Sequence, residues 1–449
     1  MKKLLKLLLF ILPVMIMTTR AVAGPIPQGD TQVTLIDKLN LKVGLQYRMM
    51  YNFSNIPLSG VTTATDTEDY DFFRQRMRLN IDVQPADNVG GFLQLEYRGG
   101  WGGSSPANSD PRGVGLTLNA FNRLEARGVR YGYIYYIPKD ETYLAAGIIP
   151  VSDQIGDTLF SADWDFNVGG ITFSSVYSNL DYRLAYLRLI DGVASADREV
   201  VGENSNLFIA DVNWLIGKKA KVGGHIYYLY ASKDVAIEAG LPGKVSQGWY
   251  SISGSVNLET INLNGFISVN NGDYGTTDNT GLALKAEAII SLGSPTLKLL
   301  AVYSTGDEEG KTSGDQFRTI QGIFGTEGYW AYTHLFTANG PSDVNDLGVG
   351  LDNGGRGLTS IQAKIESALS GIDKLTGELS VGWFQASKDN ADGNDDMGIE
   401  VSPMVTYEMA KYLNLQLGFA YAFLGSYFKS GNQDPDDLYE VFSRFQLQF

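Results

Sequence analysis

Apolar and polar side chains alternate at a period of two along most of this chain, which sets them on opposite faces of β-strands. The last segment shows it clearly: Tyr439, Val441, Phe445, Leu447 and Phe449 share one parity, and Glu440, Arg444, Gln446 and Gln448 hold the other. A terminal strand needs a partner, and a sheet closed onto its own first strand supplies one. Marking each alternating run from Leu39–Tyr51 to Leu438–Phe449 yields 18 segments. Thr142–Ile149 and Gly170–Tyr177 alternate weakly, so 16 strands is the competing count.

The connections follow a rhythm of their own. Short turns such as Pro85–Asn88, Pro138–Glu141, Gly217–Lys219 and Ser370–Lys374 alternate with longer polar loops. That asymmetry predicts an all-β, transmembrane antiparallel β-barrel with short periplasmic turns and long extracellular loops. Tyr47, Tyr51, Tyr97, Trp101, Tyr131 to Tyr135, Trp249, Trp383, Tyr421 and Tyr427 flank aliphatic stretches and are expected to form interfacial girdles.

Composition narrows the class. The 25 Tyr, 21 Phe and 52 Gly suit β structure, while the absence of Cys removes disulfides, thiol chemistry and Cys-ligated metal. Lys2, Lys3 and Lys6 before an apolar run from Leu7 to Met17, then Ala21-Val22-Ala23, predict a secretory signal over residues 1–23. The barrel domain is then expected over 24–449. Formal net charge is −15; the signal holds four basic groups and no acid, leaving −19 on the remainder. Such a chain is a poor partner for nucleic acid.

The signal, the Phe449 ending and the strand rhythm together resemble Gram-negative outer-membrane porins, nearest in length to the alginate-export-like and substrate-selective 18-stranded group. The resemblance implies an outer-membrane location among lipid and lipopolysaccharide, and passive diffusion of small polar solutes. It also implies an assembly signal at Phe445, Leu447 and Phe449, and association as a homotrimer or a monomer. No cofactor and no metal is expected. A scaffold or conduit for a partner protein and a surface adhesin are the rival functions.

A barrel this wide encloses water, so its inward residues carry the function. Arg74, Arg76 and Arg78 stand at spacing two opposite Phe73, Met77 and Leu79, a guanidinium column expected on the inner wall. On the lipid face each would cost on the order of 2–4 kcal/mol near the midplane. Arg98, Arg123, Arg127 and Arg130 extend this basic wall by parity, with a bulge expected at Gly128. Arg48 and Arg183 add to the patch.

The loop at 150–169 mixes acids with Leu159, Phe160, Trp164 and Phe166, too many large apolar groups for an exposed loop. Folded inward, it would present Asp153, Asp157, Asp163 and Asp165 to the arginines, as the constriction loop of general porins does by resemblance. A second insertion, 306–356, is expected on the extracellular side, as a lid, a surface-exposed loop or a second plug. Glu96, Glu125, Glu287 and Glu366 intrude on the basic lumen, which favours small anions or carboxylates over a polyanion.

Catalytic chemistry is thin. His225 has inward parity and His334 lies in the long insertion, and neither has a Ser or Asp beside it in a recognisable motif. Asp392, Asn394 and Asp396 echo a calcium loop, but the required Gly and Glu are out of place.

Overall fold

A computed structural model of the chain describes residues 33–36, 40–56, 67, 69–100, 125–191, 204–238, 241–308, 314–323, 331–337 and 347–449. The expected signal segment, Arg123, Trp101 and Trp330 lie outside the described residues.

A short strand β1 (Val33–Ile36) precedes 18 wall strands. These are β2 (Leu41–Ser54), β3 (Tyr70–Ala86), β4 (Val89–Gly100), β5 (Glu125–Tyr136), β6 (Thr142–Pro150), β7 (Asn167–Tyr177), β8 (Leu180–Asp191), β9 (Asn204–Ile216) and β10 (Ala220–Ala231). They continue as β11 (Val245–Leu258), β12 (Ile261–Tyr274), β13 (Thr277–Ser291), β14 (Thr296–Ser304), β15 (Leu358–Ala368), β16 (Leu375–Ala386), β17 (Asp396–Ala410), β18 (Leu413–Leu424) and β19 (Leu438–Gln448). Each pairs antiparallel with its chain neighbours, and β19 pairs with β2 in the register Leu447↔Tyr47 to close the wall. Leu45 and Phe449 exchange backbone hydrogen bonds of 2.9 and 3.0 Å at the seam. Closure leaves the 18-stranded ring without a free edge. β1 adds to β2 beside the seam, through Val33↔Val43.

The two faces differ as alternation requires. Ile134, Ile252, Ile267 and Ile361 are exposed on the outside, whereas Asn80, Arg183, Asp211, Gln247 and Glu400 are buried on the inside. An outer surface of exposed Ile, Leu, Val and Phe is the lipid-facing band of a membrane barrel.

The weak segments β6 and β7 are full members of the wall, and their weakness has a cause. Tyr143, Ala145 and Ile149 form the inner face of β6 and are buried, Tyr143 against the Tyr135 ring at 5.9 Å. With apolar groups on both faces, alternation disappears. The β12–β13 connection, on the side of the barrel expected to carry longer polar loops, is a tight hairpin. Its strands run on to Tyr274 and Thr277, leaving a two-residue turn at Gly275 (φ 69°). Polar Asn270 and Asn279 belong to the strands because their amides reach Gln316 of the 305–357 loop.

Two register shifts occur in β5, not one. Glu96 pairs with Gly128 and Tyr97 with Ala126, while Gln94 pairs with Tyr131 and Leu95 with Val129. Arg127 and Arg130 therefore fall between partners, with Gly128 at φ 107°. The second bulge turns Arg130 and Tyr131 inward together. It also corrects the girdle expectation in β5, since Tyr131, Tyr133 and Tyr135 are buried within the barrel and not at its lipid interface; Trp249 of β11 is buried inside as well.

Candidate functional site: two inward loops and an arginine cluster

Loop 3 (151–166) leaves the wall where β5 passes its last β6 partner, Gly132↔Ile148. Its fold is set by Asp153, whose carboxylate accepts hydrogen bonds from the amides of Ile155 (2.8 Å), Leu159 (2.5 Å) and Phe160 (3.2 Å). Of the apolar residues that made this loop unusual, Leu159, Phe160 and Phe166 are buried, as is Ile155, and the Trp164 side chain lies outside the described residues. The Phe160 ring meets Tyr227 of β10 edge-on at 5.3 Å. On the other side, the Tyr131 hydroxyl donates to the Ala162 carbonyl (2.7 Å) and Arg130 Nη2 donates to the same oxygen (2.5 Å). Loop 3 thus spans from β5 to β10.

Asp165, held left-handed at φ 61°, carries the acid that meets the wall. Its Oδ1 lies 2.8 Å from Arg130 Nε and 3.5 Å from Arg78 Nη2, and its Oδ2 lies 2.9 Å from Arg98 Nη2. Glu96 accepts from Arg78 Nε and Arg98 Nε, each at 2.5 Å. Burial alone would raise the Asp165 carboxyl, but Arg130, Arg78 and Arg98 together hold it well below the ordinary carboxylate range. Its side chain is still 44% exposed, so lumen water screens the cluster.

The expected wall residues do not all converge. Arg78, Arg98 and Arg130 form one cluster; Arg76 donates to Gln46 (3.1 Å) on β2, and Arg74 continues the column two residues further toward the loop end of β3. The Arg127 side chain and the whole of Arg123 lie outside the described residues. Of the four acids, Asp165 alone pairs with arginine. Asp153 is a correction, since it is buried and engaged by its own loop. Asp163 is exposed, with no arginine in ion-pair contact among the described residues, and Asp157 stands near Lys285 on the far side.

The long insertion, which the sequence leaves open as a lid, a surface loop or a second plug, is drawn into the barrel across its described parts. Trp249 Nε1 of β11 donates to the Arg318 carbonyl (2.7 Å), the Tyr332 amide donates to Gln362 Oε1 (2.7 Å), and Phe336 stacks on Phe384 at 4.3 Å. Glu400 of β17 accepts from the amides of His334, Leu335 and Phe336. The two loops join: the Gln321 amide donates to the Leu159 carbonyl (2.9 Å), and Gln321 Oε1 accepts from the Ser161 amide (2.5 Å). Of the three readings open to loop 7 (305–357), its described parts fit a second inward plug.

On β8–β11 a second network appears. Asp211 accepts from Arg183 (2.7 Å) and Tyr227 (2.7 Å) and pairs with His225 Nδ1 (2.8 Å), while His225 Nε2 meets Ser253 Oγ at 2.8 Å. Sequence spacing gave no sign of it, since its members come from four strands.

No family model and no curated protein matches the chain. Its fold is found among solved structures. Acinetobacter baumannii OccAB4 matches with a TM-score of 0.58 at 12% identity, over 91% of this chain and 98% of that one. Pseudomonas aeruginosa OpdL matches with a TM-score of 0.56 at 12% identity over the same shares. A structure of Pseudomonas aeruginosa OpdK with vanillate matches with a TM-score of 0.54 at 13% identity, again over 91% and 98%. The chain therefore has the fold of the 18-stranded outer-membrane porins, with two of its loops folded into the lumen.

Proposed function

We propose that the barrel is a passive outer-membrane channel for small hydrophilic solutes, with a preference for anions and above all carboxylates. The observation that carries this reading is the Arg78–Arg98–Arg130 cluster. Three guanidiniums face two carboxylates, Glu96 and Asp165, which leaves one net positive charge beside water. Guanidinium forks suit carboxylates, and a passing carboxylate competes with Asp165 for them. The vanillate held by OpdK is an organic anion and accords with this preference. Lipid and lipopolysaccharide surround the outer face in this reading. It requires no cofactor and applies equally to a monomer and a homotrimer.

Loops 3 and 7 inside the wall favour small solutes over a threaded partner protein, and an inward loop 7 is poorly placed for adhesion. The Ser253–His225–Asp211 relay is read as structural. Asp211 is already shared with Arg183 and Tyr227. The amides around Ser253 belong to the sheet ladder, which leaves no preorganised donors for an oxyanion.

Liposome swelling tests the reading. Carboxylates are expected to enter faster than neutral sugars and amino acids of equal mass. No swelling would remove the channel; equal rates for all three classes would remove the preference.

A further inference from the structure

Glu400 lies within β17 with its side chain in the lumen and no exposed surface. Backbone satisfies it. Oε1 accepts from the His334 amide at 2.5 Å and the Leu335 amide at 2.9 Å, Oε2 accepts from the Phe336 amide at 2.9 Å, and Ser402 donates its hydroxyl. Three successive amides make a concave seat for an anion. A buried carboxylate is costly unless strongly hydrogen-bonded, and this one is spent on loop 7, outside the arginine cluster.

Other contacts fix the same short segment. Phe336 stacks on Phe384 with rings 12° apart. The Thr333 methyl sits 2.8 Å from where a Cβ of Gly382 would stand, so this part of loop 7 lies against bare wall. Further along, loop 7 meets loop 3 through Gln321, and loop 3 carries Asp165 to the arginines.

We propose that Glu400 is a positioning residue that sets the bore and charge selectivity of the channel by pinning loop 7 to the wall. Through Gln321 the pinned loop holds loop 3, and with it Asp165, in register with Arg78, Arg98 and Arg130. The effect on solutes rests on the channel reading above; the pinning itself does not.

The absence of cysteine makes the test clean, because Ala331→Cys, at a position only 4% exposed, introduces a single thiol into loop 7. A water-soluble maleimide is applied to the folded barrel with and without Glu400→Gln, which keeps the size but puts a donor where the amides need an acceptor. Labelling is expected at least tenfold faster in the double variant. Glu400→Gln alone is expected to raise single-channel conductance and weaken anion selectivity. Heat-modifiable migration verifies that the barrel is closed. Should Glu400→Gln fail to close, Glu400→Asp, which keeps the carboxyl acceptor on a shorter arm, is expected to show intermediate labelling and conductance. Unchanged labelling in a closed barrel overturns the pinning. Faster labelling with unchanged conductance and selectivity overturns the link to solute passage. If the parent chain conducts nothing, the channel reading fails while labelling still decides the role of Glu400.

Discussion

Arg130 and Asp165 meet at 2.8 Å, and both reach that contact through backbone irregularity. Arg130 is skipped in the β4–β5 register, and Asp165 is left-handed at φ 61°. A regular strand would send either Arg130 or Tyr131 outward, and the cluster would lose its most buried guanidinium.

Asp165→Asn is expected to strengthen anion selectivity. The cluster then holds three guanidiniums against Glu96 alone, and its net charge rises by one. The anion-to-cation permeability ratio should increase roughly several-fold at low salt and less at high salt, where screening is strong. Reversal potentials in a salt gradient measure it; an unchanged ratio would separate Asp165 from the permeation path.

Asp157 gives the channel a pH dependence. Burial first, and then neighbouring Asp153, push its carboxyl up to about 7. A folded-state value raised above the ordinary carboxylate range means that the folded loop retains a proton the unfolded chain would release. That contribution to loop seating is complete in acid and is lost as pH climbs to about 7. Anion preference should decline as pH passes through about 7, where the folded loop gains its negative charge. Asp157→Asn should flatten both trends between mildly acid and mildly alkaline pH.

His334 acts in the opposite direction. Burial, with Lys364 and Arg444 adding repulsion, pushes the imidazole down to about 3. The unfolded chain takes up a proton near 6.5 and the folded one does not, so seating is strongest above 6.5 and weakens as pH falls toward 3. In His334→Gln, acid-induced current noise should be reduced relative to the parent. Equal noise in both would exclude His334 as its source.

The barrel was legible because period two survives wherever one face meets lipid and the other water. All 18 marked segments match wall strands, β2 to β19. Legibility failed where a loop replaces water inside. Ile149 and Tyr143 look like outward residues because both join the apolar packing inside the barrel, and Trp249 passed for a girdle residue although it holds Arg318 of loop 7. The site was half legible. Inward parity, with the bulge expected at Gly128, pointed to Arg78, Arg98 and Arg130, and the acidic loop to Asp165, but no local signal shows that Asp153 serves its own loop, or that Glu400 faces three amides about 65 residues earlier in the chain. Contacts between loops distant in sequence leave no periodic trace.

Arg183→Met should destabilise the wall by about 3 kcal/mol or more, because it leaves Asp211 buried without its cation. Asp211 is 1% exposed and keeps only His225 and Tyr227. Denaturant midpoints measured in detergent or bilayers would show it. A shift within error would mean that the Arg183–Asp211 pair adds no net stability.

The most direct test of the account is the reversal potential of single channels in a potassium chloride gradient, for the parent and for Arg78→Ala combined with Arg130→Ala. The parent should favour chloride and the double variant should lose that preference, since only Arg98 then faces Glu96 and Asp165. A parent channel that favours potassium, or a double variant with unaltered selectivity, would contradict it.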